Sequence, residues 1–105
     1  MVSVEQRELA PTVTLEFDGR VWYWKGPAPH YLVTVPAEKC QDLKAISKVV
    51  TYGWGMIPAR VQIGETDWKT SLFPKDGQYI VPLRMSSRKK EGIDEGEEVA
   101  VQIYI

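Results

Sequence analysis

The stretch of sequence that decides the fold is Thr70–Leu83, which reads TSLFPKDGQYIVPL. Its four central residues, PKDG, are typical of a tight turn, because proline presets a turn dihedral and Asp-Gly tolerates the left-handed region. Strand-forming residues lie on both sides of this turn. The stretch therefore predicts a β-hairpin, with strands over Trp68–Phe73 and Gln78–Val81.

A second copy of this plan lies 48 residues earlier in the chain. At that displacement Tyr31-Leu32-Val33 aligns with Tyr79-Ile80-Val81, and the loop Gly26–Pro29 aligns with the PKDG turn. Each hairpin is followed by a proline that suits a helix start, then by glycine and an alternating strand. The plan of hairpin, helix and strand is thus written twice, although identity between the halves is low and coincidence of common turn chemistry is the alternative.

The other predicted elements follow from hydrophobic period and from turn residues. Strands are predicted at Val13–Phe17, Val21–Trp24, His30–Val35, Ile57–Ile63 and Val99–Ile105, helices from Pro36 to about Val49 and from Pro82 to about Glu91, and a turn or bulge at Asp18-Gly19. The chain is therefore mainly β with two short helices. Neither half can close a core alone, so two interleaved halves are expected to form one small closed β-barrel with a helix at each end.

Size and composition indicate one globular domain. The chain has 105 residues, of which 44% are apolar and 26% charged, a balance typical of folded domains. We expect a single barrel domain over residues 12–105 and a loose N-terminal leader over residues 1–11. The net charge of −1 argues against strong non-specific binding to nucleic acid, which needs a basic surface.

Localisation follows from what the sequence lacks. It contains no signal-peptide core and no run of about 18 apolar residues, so no membrane segment is expected. Cys40 is the only cysteine, so no internal disulfide can form. These features predict a cytoplasmic protein.

Several motifs are long enough to compare with known families. They are Thr51-Tyr52-Gly53-Trp54-Gly55 with Ile57-Pro58, Thr70–Gly77, Tyr79–Leu83, the opening Phe17-Asp18-Gly19, and the closing Glu91-Gly92-Ile93 with Gly96 and Val99. Together they resemble the bacterial family called domain of unknown function 1905. The resemblance covers about Thr12 to the C-terminus, which is nearly the whole chain.

The resemblance implies a double-split β-barrel, the fold of the AbrB and MazE type of DNA-binding regulators. In those proteins two swapped hairpins of a dimer make the barrel, whereas here one chain carries both halves. Gly77–Ile103 resembles a single regulator hairpin. The family has no established activity, so it implies no catalytic residues and no cofactor.

The residues themselves suggest no catalytic or metal centre. His30 is the only histidine, which excludes a histidine metal cluster within the chain, and we expect it to be structural or solvated. Cys40 lies on the apolar stripe of the first helix and is predicted to be a buried, inert thiol. Neither residue belongs to a recognisable nucleophile motif.

Three functions stay open. The favoured one is a binding module without catalysis, for an unknown small molecule or protein. Its predicted surface is Trp54, Tyr52, Tyr31, Phe73, Lys75 and Tyr79. A nucleic-acid-binding regulator using Arg84, Arg88 and Lys89 is the first alternative, and an enzyme of unrecognised chemistry is the second. The barrel needs no second chain for closure, so both a monomer and a homodimer are compatible with the sequence.

Overall fold

The computed structural model of the chain describes residues 14–27, 29–50 and 55–105, apart from the side chains of residues 46–50. Its elements are strand β1 (Thr14–Trp24), strand β2 (His30–Thr34), helix α1 (Ala37–Val50), strand β3 (Ile57–Ile63), strand β4 (Thr66–Lys75), strand β5 (Gln78–Pro82), helix α2 (Met85–Glu91) and strand β6 (Glu98–Tyr104). The predicted leader lies outside the described residues. Neither described helix is long and apolar enough to cross a membrane.

The six strands form one closed antiparallel barrel, in the order β1-β2-β5-β4-β3-β6. This confirms the predicted class, a small closed barrel that is mainly β and carries two helices. Each strand pairs with two neighbours, although β4 meets β5 only over Phe73–Lys75.

The internal repeat is visible in the pairing of β2 with β5. A displacement of 48 residues maps β2 onto β5 and the first residue of α1 onto the first residue of α2. The centre of the pairing is Val33 opposite Val81. On either side, Val35 N–H donates to the Tyr79 carbonyl and Leu83 N–H donates to the Tyr31 carbonyl, both at 2.9 Å. Because each bond is the image of the other, the two halves are related by an approximate two-fold axis between these strands.

The barrel interior is filled by alternate residues of the strands. The side chains that are almost completely buried are Val21, Val33, Val35, Leu43, Ile57, Val61, Leu72, Val81, Val101 and Ile103. Branched aliphatic residues dominate this set, as expected for a pleated surface closed on itself. Leu43 comes from α1, which therefore closes one end of the core.

Asp18-Gly19 does not form a turn or a bulge, contrary to the sequence-based expectation. β1 runs unbroken through both residues, and Gly19 pairs with Val99 of β6. Gly19 faces the core, where an added Cβ would lie 2.4 Å from Val33 Cγ1. The glycine is thus required by close packing against Val33 of the neighbouring strand β2 and not by backbone curvature.

Two further boundaries differ from the prediction. Pro82 does not open a helix; it ends β5 opposite Leu32, and α2 begins at Met85. Strand pairing continues through Leu83, because its N–H donates to the Tyr31 carbonyl of β2. The helix can therefore start only after Leu83. Pro74 and Lys75 belong to β4, and the turn is Asp76-Gly77 alone, with φ of 52° and 81°. Two consecutive positive φ values are those of a type I′ hairpin.

Candidate functional site

An opening in the barrel wall arises where β4 leaves β5. β4 pairs with β5 only over Phe73–Lys75, and its earlier residues pair with β3 instead. The space between the separated strands, beside the start of α2, is a cavity of about 610 Å³. We call it the arginine cavity; the lining side chains used below are Tyr23, His30, Tyr31, Trp68, Lys69, Pro82, Arg84 and Arg88.

The charge of the arginine cavity has one sign. Lys69, Arg84 and Arg88 line it, and no aspartate or glutamate is among its described lining residues. Arg84 lies on the surface, where one guanidinium nitrogen donates to the Lys69 carbonyl at 3.3 Å. This single bond leaves most of the guanidinium's five donors available to a ligand.

Arg88 is held more firmly than Arg84. Its guanidinium carbon lies 3.4 Å from the centroid of the Tyr31 ring, a stacked cation–π contact. Its Nε donates to the Ile93 carbonyl at 3.2 Å, and the side chain is only 16% exposed. A weaker ion pair joins it to Asp94 at 3.8 Å. Arg88 therefore supplies a fixed positive charge at the cavity wall.

Aromatic rings form the rest of the wall. The rings of Tyr23 and Tyr31 are 4.7 Å apart between centroids and tilted by 56°. Trp68 is 5% exposed, and its buried Nε1–H has no hydrogen-bond partner in the described part of the chain. A buried donor without a partner costs about 1–3 kcal/mol, so Trp68 carries an unmet hydrogen bond in a residue that lines the cavity.

A second depression, of about 620 Å³, lies on the outer face of the barrel over β1, β2, β5 and β4. We call it the apolar groove; it is lined by Trp24, Pro27, His30, Leu32, Phe73, Pro74, Lys75, Ile80 and Pro82. Lys75 lies 4.6 Å from the centroid of the Trp24 ring and 3.7 Å from the Asp76 carboxylate. The groove adjoins the arginine cavity, because His30 and Pro82 line both.

The predicted binding residues fall into four places. Tyr31 lines the arginine cavity, Phe73 and Lys75 line the apolar groove, and Tyr79 is buried in the core. Trp54 and Tyr52 lie outside the described residues. The described residues of the predicted surface are therefore divided between two adjoining depressions and the core.

The residues predicted to contact nucleic acid also separate. Arg84 and Arg88 line the arginine cavity with Tyr31, whereas Lys89 is exposed on α2 and lines neither depression. The two sets that the sequence analysis kept apart thus meet at one site.

Sequence reasoning missed several lining residues. Trp68 occupies a buried position of β4, as an ordinary core residue does. Nothing in the sequence pattern shows that its indole N–H lacks a hydrogen-bond partner. Tyr23 and Trp24 lie in the predicted strand Val21–Trp24, where nothing marks them as lining residues. The separation of β4 from β5, which opens the cavity, has no local signal in the sequence.

Cys40 is buried, as predicted, and its thiol lies 3.4 Å from the Val35 carbonyl. His30 is exposed at the junction of the two depressions. Among the described residues there is no group of three or more His, Cys, Asp and Glu side chains that could hold a metal ion.

These features define the class of protein: a β-barrel of two related hairpin–helix–strand halves, with a cationic, aromatic cavity that is lined by residues of both halves beside α2. The family model described as Domain of unknown function (DUF1905) matches residues 17–103, and the chain belongs to that family. No curated protein sequence matches the chain.

Proposed function

We propose that this protein is a binding module without catalysis, and that its ligand is a small organic anion held in the arginine cavity. The observation that carries the proposal is the charge of the lining, three cations with no carboxylate in its described part. A volume of about 610 Å³ falls within the range of small-molecule sites. The aromatic wall would cover the apolar part of such a ligand.

The difference between the two halves of the repeat supports this proposal. At the displacement of 48 residues, Tyr79 corresponds to Tyr31, and Cys40 corresponds to Arg88. On the α1 side, Tyr79 and Cys40 are both buried in the core. On the α2 side, the same positions hold a half-buried tyrosine and a stacked arginine beside a cavity. Closure of the barrel does not require a cavity on the α2 side, so this difference between the halves supports recognition of a ligand there.

The unpaired Trp68 donor gives the proposal a second support. A carboxylate accepts hydrogen bonds from several donors at once, and charge-assisted bonds are about twice as strong as neutral ones. Arg84 and Trp68 both line the cavity. One carboxylate or phosphate group would bind the free guanidinium donors of Arg84, and it would also satisfy the buried indole N–H once the lining side chains shift to admit it.

The first test uses benzoate, which combines a carboxylate with a flat apolar ring. Arg84→Gln is expected to weaken benzoate binding about ten- to a hundredfold, because a hydrogen bond to a charged group contributes about 1.5–3 kcal/mol. Titration followed by the indole N–H signals in NMR measures the affinity, and loss of one signal in Trp68→Phe assigns Trp68. The Trp68 signal is expected to move as benzoate binds.

The matched control is Lys89→Gln. It also removes one positive charge, from an exposed residue of α2 that lies outside the cavity, and it is expected to change benzoate affinity less than twofold. Equal losses in both variants would mean general electrostatic attraction and would overturn the cavity assignment. Binding of benzyl alcohol as tightly as benzoate would overturn the requirement for an anion.

The same pair of variants tests the regulator alternative. Duplex DNA that bound the chain and lost affinity in both Arg84→Gln and Lys89→Gln would support a phosphate-binding surface along α2 in place of a small-ligand cavity. The net charge of −1 argues against that outcome. Kinship with AbrB and MazE regulators stays a prediction, and fold kinship alone assigns no function.

A further inference from the structure

We infer that the ligand is an amphipathic anion, whose charged head lies in the arginine cavity and whose unbranched apolar tail lies in the apolar groove. The inference rests on the proposed function, because it adds a tail to the anion proposed there. It concerns the class of carboxylates with an alkyl chain of several carbons.

Continuity between the two depressions is the first step of the argument. His30 and Pro82 line both, one exposed and the other half-buried. Pro82 lies opposite Leu32 in the β2–β5 pair, so the groove begins where the cavity ends. A ligand held by its head at Arg84 can therefore continue over Pro82 onto the outer face of the barrel.

The chemistry of the two depressions is complementary. The cavity is lined by three cationic side chains, whereas Lys75 is the one lysine or arginine among the described residues that line the groove. That ammonium is already engaged by the Trp24 ring and the Asp76 carboxylate. The remaining groove surface is apolar or aromatic apart from His30. The arginine cavity thus suits an anionic head, and the apolar groove suits a hydrocarbon tail.

Phe73 shows that the groove is an incompletely covered apolar surface. Its side chain is 39% exposed, although its neighbours Leu32 and Ile80 are 4% and 8% exposed. Leu32 and Ile80 lie on the outer face of their strands, whereas the adjacent residues Val33 and Val81 face the barrel interior. An alkyl chain lying along Phe73 would remove apolar area from water without displacing any strand.

The experiment is a series of straight-chain carboxylates from butanoate to decanoate, each used below the concentration at which it forms micelles. Dissociation constants are measured by the Trp68 signal and by calorimetry. We expect affinity to rise two- to fourfold for each added methylene until the groove is filled, because each buried CH₂ contributes about 0.8 kcal/mol. The alkanols of equal length are expected to bind at least tenfold more weakly, since they lack the charge.

The variant Phe73→Ser tests the position of the tail. It is expected to reduce the gain per methylene for the longer chains and to leave benzoate binding unchanged, because Phe73 does not line the arginine cavity. Phe73→Leu keeps an apolar side chain and is expected to restore most of the gain. Thermal unfolding of both variants checks that the fold is retained.

The possible outcomes separate the two proposals. Benzoate binding with no dependence on chain length overturns the amphipathic ligand and leaves the proposed function standing. Chain-length dependence that Phe73→Ser does not change also overturns it, because the tail then lies elsewhere. Failure of every carboxylate to bind overturns both proposals.

Discussion

Replacement of Leu72 by alanine is expected to lower the free energy of unfolding by about 3 kcal/mol. Leu72 is completely buried, and it lies opposite Ile57, which is completely buried too. The truncation therefore loses the transfer free energy of the leucine and leaves a cavity that a closed barrel can fill only in part. Unfolding in urea measures the change as a lower midpoint with an unchanged slope.

The neighbouring residue provides the control for this prediction. Phe73→Ala removes a larger side chain, but Phe73 is on the outer face and is 39% exposed. Its loss is expected to cost about 1 kcal/mol or less. If the two variants lost equal stability, the assignment of Leu72 to the inside and Phe73 to the outside of β4 would be wrong.

The architecture could be predicted because its signals are local and repeated. Strand β3 has the predicted bounds, Ile57–Ile63, because its alternation is uninterrupted and glycines flank it. Helix α1 starts one residue after the predicted Pro36, whose carbonyl accepts from the N–H groups of Lys39 and Cys40. The two-fold plan then limits how hairpins of this length can pair, which leaves a closed barrel as the simplest solution.

The errors arose where a distant partner decides the conformation. Asp18-Gly19 consists of residues typical of turns, but Gly19 pairs with Val99 of β6 and packs against Val33 inside the barrel. Pro82 suits a helix start, but pairing with β2 keeps it in a strand. In both cases long-range pairing overrides a local preference, and no window of sequence contains both partners.

The candidate site could be predicted only in fragments. The sequence marks Arg84 and Arg88 as basic and Tyr31 as aromatic, but the stacking of Arg88 on Tyr31 depends on how α2 folds back over β2. Trp68 could not be recognised, since an unpaired indole N–H is a property of its surroundings and not of its position in a strand. Equivalent tyrosines of the repeat, Tyr31 and Tyr79, differ in burial for the same reason.

Replacement of Gly19 by alanine is expected to lower the free energy of unfolding by about 2 kcal/mol, although the change adds a single methyl group. The new Cβ would lie 2.4 Å from Val33 Cγ1 and 3.1 Å from the Phe17 ring. Val33 is completely buried and β-branched, so it cannot rotate away into a free rotamer. The entropic gain of replacing glycine, about 0.4–1 kcal/mol, offsets only part of this cost.

A double-mutant cycle with Val33→Ala tests whether that contact is the cause. The variant removes Val33 Cγ1, the closest atom to the new methyl group, so Gly19→Ala should cost little in the Val33→Ala background. The expected coupling between the two sites is about 1–2 kcal/mol, measured by urea unfolding of the four proteins. Additive losses would show that the glycine is needed for another reason, such as its backbone conformation. A loss in the double variant that is smaller than the sum of the two single losses would show that the packing of Val33 against β1 is what requires glycine at this position.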